Sequence, residues 1–125
     1  MKFSVEKNEK YTLITLVEGK LNSLVSPQLK SELILLNKEE HRNVILDLSA
    51  VKYADSSGLS SLLIGHRLCK SADGLFIITA ISDAVSRLLT ISQLENIITI
   101  LPTVDEAIDF IFMEELEKDL NKDIE

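Results

Sequence analysis

The spacing of apolar positions changes period several times along the chain, and the changes mark out an alternation of strands and helices. Phe3 to Lys7 and Thr12 to Val17 alternate loosely on either side of Asn8-Glu9-Lys10, which predicts a hairpin at the start. Ser26-Pro27 then offers a cap and a first-turn proline for a helix with Leu29, Leu33 and Leu36 on one face, ending near Asn37-Lys38. Asn43 to Leu48 reads as a strand of Val, Ile and Leu broken only by Asp47, and Leu59, Leu62 and Leu63 begin a helical period that runs to about Ser71. Asp73-Gly74 turns the chain into Leu75 to Ile81, a run with the character of a strand buried on both faces. Ser82-Asp83 caps a short helix bearing Val85, Leu88 and Leu89, and Ile97 to Leu101 is the last strand, closed by Pro102. Thr103-Val104-Asp105-Glu106 fits a capping box ahead of an apolar stripe of Val104, Ala107, Ile108, Ile111 and Phe112. Short connections between alternating elements imply parallel strands with right-handed crossovers. The expected fold is therefore α/β: a mixed sheet of about five strands, antiparallel at the start, with about four α-helices.

With 125 residues, 46% of them hydrophobic, the chain is long enough for one compact domain that needs no disulfide or metal staple. No internal repeat, low-complexity block or linker divides it, and the expected limits are residues 1–113 for the domain and 114–125 for an acidic helical extension or tail. In that tail six acidic residues face only Lys118 and Lys122, the pattern of a solvated or frayed helix end, although Leu116 and Leu120 offer packing at an edge. The longest apolar runs fall far short of a membrane span and there is no Arg-rich or apolar leader, so a cytoplasmic location is expected. A net charge of −7 and a pI near 4.8, with no basic cluster, argue against nucleic acid or an anionic membrane as direct partner. A protein partner is the natural alternative. Cys69 lies at helical spacing from Leu62 and His66 and reads as a buried, inert thiol.

Candidate chemistry concentrates in Tyr53-Ala54-Asp55-Ser56-Ser57-Gly58-Leu59, where a buried strand gives way to an amphipathic helix. Ser56 and Ser57 fall at or beside the helix N-cap, where unpaired N–H groups and the positive end of the macrodipole favour a phosphoryl group. Taken alone, plain capping is the commoner role for serine there. On a helical wheel Leu59, Leu62, Leu63 and His66 face the sheet. Ser57, Ser61, Ile64 and Leu68, with Ser60 and Arg67 beside them, form an opposite stripe that is either a docking surface or the contact of a neighbouring helix. Ala54 to Gly58 also has the spacing of a nucleophile elbow with its first glycine replaced. The partners of such a nucleophile are missing: His41 lies in a polar connection and His66 points at the core further along the same helix. A glycine-rich phosphate loop with Lys and a Cys or His pair at ligand spacing are missing too, so no catalytic residue, cofactor or metal is expected. A phosphate on Ser56 would have to come from another protein.

Val44-Ile45-Leu46-Asp47-Leu48-Ser49, then Asp55-Ser56-Ser57-Gly58-Leu59 opening a helix, then Ala80-Ile81-Ser82-Asp83-Ala84-Val85 with Leu88-Leu89, together resemble the STAS domain of bacterial anti-sigma factor antagonists. Gly19-Lys20-Leu21-Asn22 stands where that family has a Gly-x-Leu-Asp/Asn loop near its switch. The resemblance implies a binding protein, not an enzyme. Unmodified, it would dock on an anti-sigma factor with serine kinase activity through the Gly19–Asn22 loop, the Asp55-Ser56-Ser57-Gly58 turn and the first turns of the helix (Ser60, Ser61, Ile64, Leu68), and so free a sigma factor. Phosphorylation by that partner would fall on Ser56, with Ser57 as its neighbour and cap and Asp55 positioning the Ser56 hydroxyl or the kinase-bound nucleotide, and a phosphatase would reset the switch. An Asp at this turn serves equally as a local cap. The family also supplies modules to other signalling assemblies and to lipid-transport ABC systems, and a weak homodimer remains open. Three positions depart from its pattern: Ser60 and Gln93 stand where glycine is common, and Asn22 where some phosphorylated members have Asp.

Overall fold

The first two apolar segments can pair only if the chain reverses between them, and it does so where the Asn8 N–H donates to the Tyr11 carbonyl at 2.9 Å. In the computed structural model, which describes residues 2–124, this hairpin joins β1 (Phe3–Lys7) to β2 (Thr12–Leu16) antiparallel. Then follow β3 (Lys20–Leu21), α1 (Ser26–Lys38), β4 (Val44–Asp47), β5 (Tyr53–Ala54), α2 (Ser56–Ser71), β6 (Phe76–Thr79), α3 (Asp83–Ile91), a 3₁₀ turn (Leu94–Asn96), β7 (Thr99–Leu101) and α4 (Val104–Ile124). The main sheet has the order β1-β2-β4-β6-β7, parallel from β2 onward. This is the expected mixed sheet, flanked by four α-helices. A second, two-stranded sheet pairs β3 with β5 in parallel, a feature that two residues per strand made invisible to periodicity.

Strand alternation sends side chains to two separate cores. Val44, Leu46, Phe76 and Ile78 face α1, α2 and α3, where Leu29, Leu33, Leu36, Leu62, Val85 and Leu89 meet them. Ile45 and Ile77 face the other way, against Ala107 and Ile111 of α4. All four residues of β6 are buried, as its continuous apolar run implies.

Several local expectations shift. Val25, not Ser26, is the N-cap of α1; Ser26 is the first helical residue, is fully buried and makes no capping bond. The entry is set instead by Asn22, whose side-chain oxygen accepts from the Leu24 N–H while its carbonyl accepts from the Val25 and Ser26 N–H groups. Ser82 and Thr103 do cap, accepting from Val85 at 3.2 Å and Glu106 at 3.1 Å. Phe112 is about half exposed, on the flank of the α4 stripe. Gln93 adopts φ 64°, a conformation L side chains enter at a cost.

The acidic segment continues α4 without a break, and its inner side is polar. Leu116 and Leu120 stay about half exposed, whereas Glu115 turns inward to Arg42 Nη2 at 2.5 Å and Asn43 Nδ2 at 2.8 Å. Burial pushes the Glu115 carboxyl up, but the Asn43 and Arg42 bonds outweigh it and hold the group below its usual value. Lys118 bonds the Asp73 carbonyl one turn later. Buried Asn43 joins three segments, donating also to the Lys10 carbonyl at 3.0 Å and accepting from the Leu75 N–H at 2.9 Å. Asn43→Ala should therefore lower unfolding free energy in urea by about 2–3 kcal/mol, because it strands partners away from water. A loss under about 0.5 kcal/mol, the range of ordinary surface changes, would show that this junction holds nothing together.

Candidate functional site

The site is assembled where the small sheet meets the start of α2. Lys20 pairs with Tyr53 and Leu21 with Ala54, and the ladder continues as the Lys52 N–H donates to the Gly19 carbonyl at 2.7 Å and the Asp55 N–H to Leu21 at 3.2 Å. The Gly19–Asn22 loop and the Asp55–Ser57 turn are thus hydrogen-bonded neighbours. Gly58 fixes how closely α2 approaches them: a Cβ there would lie 2.2 Å from the Leu21 carbonyl oxygen. Gly58 is buried and its place in the site is structural, not a side-chain contact for a partner.

Asp55 is the N-cap of α2, the local-cap role left open to it by the sequence, and Ser56 and Ser57 follow as the first two helical residues. Its Oδ1 accepts from the Ser57 hydroxyl at 2.6 Å and the Gly58 N–H at 3.0 Å. The carboxyl is held below the usual range first by the Ser57 hydroxyl and then by the Gly58 N–H. Backbone N–H groups of Ser57 and Ser23 add to this, and desolvation opposes it. Ser23 is a participant that sequence patterning gave no means of finding. Ser57 Oγ also lies 3.4 Å from Ser26 Oγ at the start of α1, so Ser57 links two helices and the cap. Ser56 is different: it is the first residue of α2 and exposed, and Asp55 is bonded to its neighbours.

The helix is rotated relative to the apolar wheel. Its buried residues are Gly58, Ser61, Leu62, Gly65 and Cys69, while Leu59, Leu63 and His66 are half-buried. Ser61, placed by the wheel on a docking stripe, is fully buried and donates to the Gly58 carbonyl at 2.6 Å. Leu68 packs against the main core, and its carbonyl accepts from Asn37 of α1 at 3.1 Å. The neighbouring-helix reading therefore applies to much of that stripe; Ser60 is exposed and Ile64 half-buried. Two apolar residues stand out beside the turn instead: Leu24, 70% exposed next to Asn22, and Tyr53, 49% exposed and paired with Lys20. A lone residue in a loop or a two-residue strand carries no periodic signal, so patterning does not mark Leu24 or the exposure of Tyr53.

Elsewhere, burial pushes the Cys69 thiol up to about 12. Burial also lowers the His66 pKa, helped by Lys70 and Arg67. His66 lies ten residues beyond Ser56 on α2, about 15 Å along the axis, and His41 lines a polar cleft with Arg42, Asn43 and Glu115. No group of three or more His, Cys, Asp or Glu among the described residues is placed to hold a metal ion, and no helix is long and apolar enough to cross a membrane.

Two consequences are measurable. Gly58→Ala should cost about 1–3 kcal/mol in a urea titration, since backbone rather than a flexible side chain blocks the new methyl; an unchanged midpoint would mean the approach is slack. A depressed carboxylate contributes stability above its unfolded-state pKa and loses it as the pH falls through the folded value. Asp55→Ala should thus lower the urea midpoint at neutral pH, and the gap from wild type should close once the pH falls well below the ordinary value of 3.8. A gap constant with pH would refute the charge's part in the cap.

Comparison with known proteins supports one fold family throughout. Over 102 residues, 80% of this chain and 90% of the other, the sequence is 28% identical to the anti-sigma-B factor antagonist of Listeria monocytogenes. The structure superposes on a STAS domain protein from Planctomyces limnophilus with a TM-score of 0.79 at 20% identity, covering 87% of this chain and 97% of that one. It superposes on the Bacillus cell fate determinant SpoIIAA in its phosphorylated form with a TM-score of 0.70 at 21% identity, covering 87% and 98%. The STAS family model matches residues 2–107, which take in every strand and the first three helices described above, and the chain belongs to the STAS domain family.

Proposed function

We propose that this STAS domain, residues 1–113 with an acidic extension over 114–125, is an anti-sigma factor antagonist whose docking is switched by phosphorylation of Ser56. The carrying observation is the division of labour at the turn: Asp55 is bonded to Ser57 and Gly58, leaving Ser56 exposed at the first helical position. The Listeria relative, an anti-sigma-B factor antagonist by name, favours this over a module of another signalling assembly or a lipid-transport system. The activity is binding. Neither histidine is adjacent to Ser56, and the modifying chemistry belongs to a partner with serine kinase activity and to a phosphatase.

In this reading the unmodified protein docks through the Ser56 turn, Ser60, Ile64 and the Gly19–Asn22 loop, with exposed Leu24 and Tyr53 as apolar anchors. The partner then releases its sigma factor. A phosphate brings about −1.5 to −2 of charge to Ser56. It arrives beside an Asp55 carboxylate that already occupies the Ser57 and Gly58 N–H groups, so the helix terminus has few donors left for it. A dianion beside a carboxylate in a desolvated interface opposes docking.

The test begins with protein recovered from its own cells: the mass of the Ser56 peptide is measured with and without phosphatase, and the retained partner is purified for titration. Ser56→Ala should bind that partner nearly as wild type does, whereas Ser56→Asp should bind more than a hundredfold more weakly, about 3 kcal/mol. An unmodified Ser56 together with affinity indifferent to Ser56→Asp would end the proposal.

A further inference from the structure

One flank of α4 combines exposed apolar residues with acidic ones. The helix's inner stripe of Ala107, Ile111 and Glu115 is buried, whereas Phe110 and Met113, off that stripe on the flank beside β7, remain 37% and 58% exposed. With Leu101 and Pro102, at the end of edge strand β7, they floor a shallow open groove of about 630 Å³. Glu106, Asp109, Glu114 and Glu117 supply its remaining lining, and no Lys, Arg or His among the described residues takes part. An apolar floor with a wholly acidic rim selects its occupant by charge.

We propose that this groove docks a basic amphipathic segment of a partner protein, with bulky apolar side chains on the floor and Lys or Arg against the rim. A second copy of this chain is a poor occupant, because the molecule carries −7 and the rim would meet carboxylates of its own kind. Anionic lipid meets the same repulsion. The groove also lies across the sheet from α1 and α2, which pack in the other core. Engagement here is therefore compatible with either state of Ser56, and the inference stands without the antagonist reading.

The test titrates the full chain into a labelled peptide of about 18 residues, long enough to form a helix when bound, with Leu and Lys at amphipathic spacing. Anisotropy should show saturable binding that weakens with salt, as screening requires. Met113→Lys, a change at an exposed site to another good helix former, should weaken it at least tenfold, as should Asp109→Asn combined with Glu117→Gln. Ser56→Asp should leave it unchanged. No saturable binding, equal binding to these groove variants, or equal binding of a scrambled or Glu-for-Lys peptide would overturn the proposal. So would a wild-type dimer in sedimentation that Met113→Lys abolishes, since the occupant would then be a second copy.

Discussion

The arrangement of the site depends on one close approach, that of the α2 backbone to the Leu21 carbonyl at Gly58. A side chain there would overlap the oxygen, so only glycine lets the helix start where it does. With that distance fixed, the Asp55 N–H reaches the Leu21 carbonyl, β3 pairs with β5, and the Gly19–Asn22 loop is held against the helix terminus. Asp55 then receives donors from both sides, from Ser57 and Gly58 ahead of it and from Ser23 just past the loop. The loop with its strand β3, strand β5 and the start of α2 become one preorganised unit, which lowers the ordering cost of any complex it forms.

The same constraint explains where sequence reasoning succeeded and failed. The main strands, the helices and the Asp55–Gly58 turn were legible because they rest on period, caps and turn residues, all local signals. The orientation of α2 was not, because an apolar wheel weights leucine and ignores small residues. Gly58, Ser61, Gly65 and Cys69 face inward here because the helix sits too close to its neighbours for anything larger. A Cβ on Gly65 would fall 2.5 Å from the Phe76 ring. Packing distance, a tertiary quantity, overrode hydrophobicity. Which of Asp55, Ser56 and Ser57 caps the helix is subtler, since Asp and Ser compete for that position on nearly equal terms; Asp55 takes it, with its N–H bonded to the Leu21 carbonyl.

A second class of unreadable features joins residues far apart in the chain. Asn43 and Glu115 are separated by 72 positions, and their bond is what gives the acidic segment an inner, polar face. From sequence that segment was a charged tail with two leucines as its means of packing. Instead the leucines are left about half exposed and the carboxylate is drawn in, because Asn43 and Arg42 present fixed donors that a flexible tail alone would lack. On that side of the sheet this polar junction extends the apolar contact of α4, in which Ala107 and Ile111 meet Ile45 and Ile77 with Val104 and Ile108 beside them.

The two adjacent serines differ in what a phosphate on each would disturb. Ser57 donates a hydrogen bond to Asp55 at 2.6 Å and lies 3.4 Å from buried Ser26, so modifying it would remove one of the cap's bonds and force a dianion into the α1–α2 contact. Ser56 carries no such burden: it points outward from the first position of the helix, and a phosphate there leaves the cap intact. In the proposed switch, the serine with room for a phosphate is thus also the one left exposed for a partner to meet. A switch built this way changes its surface charge without changing its fold, so the unmodified and modified proteins should differ in what they bind far more than in how stable they are.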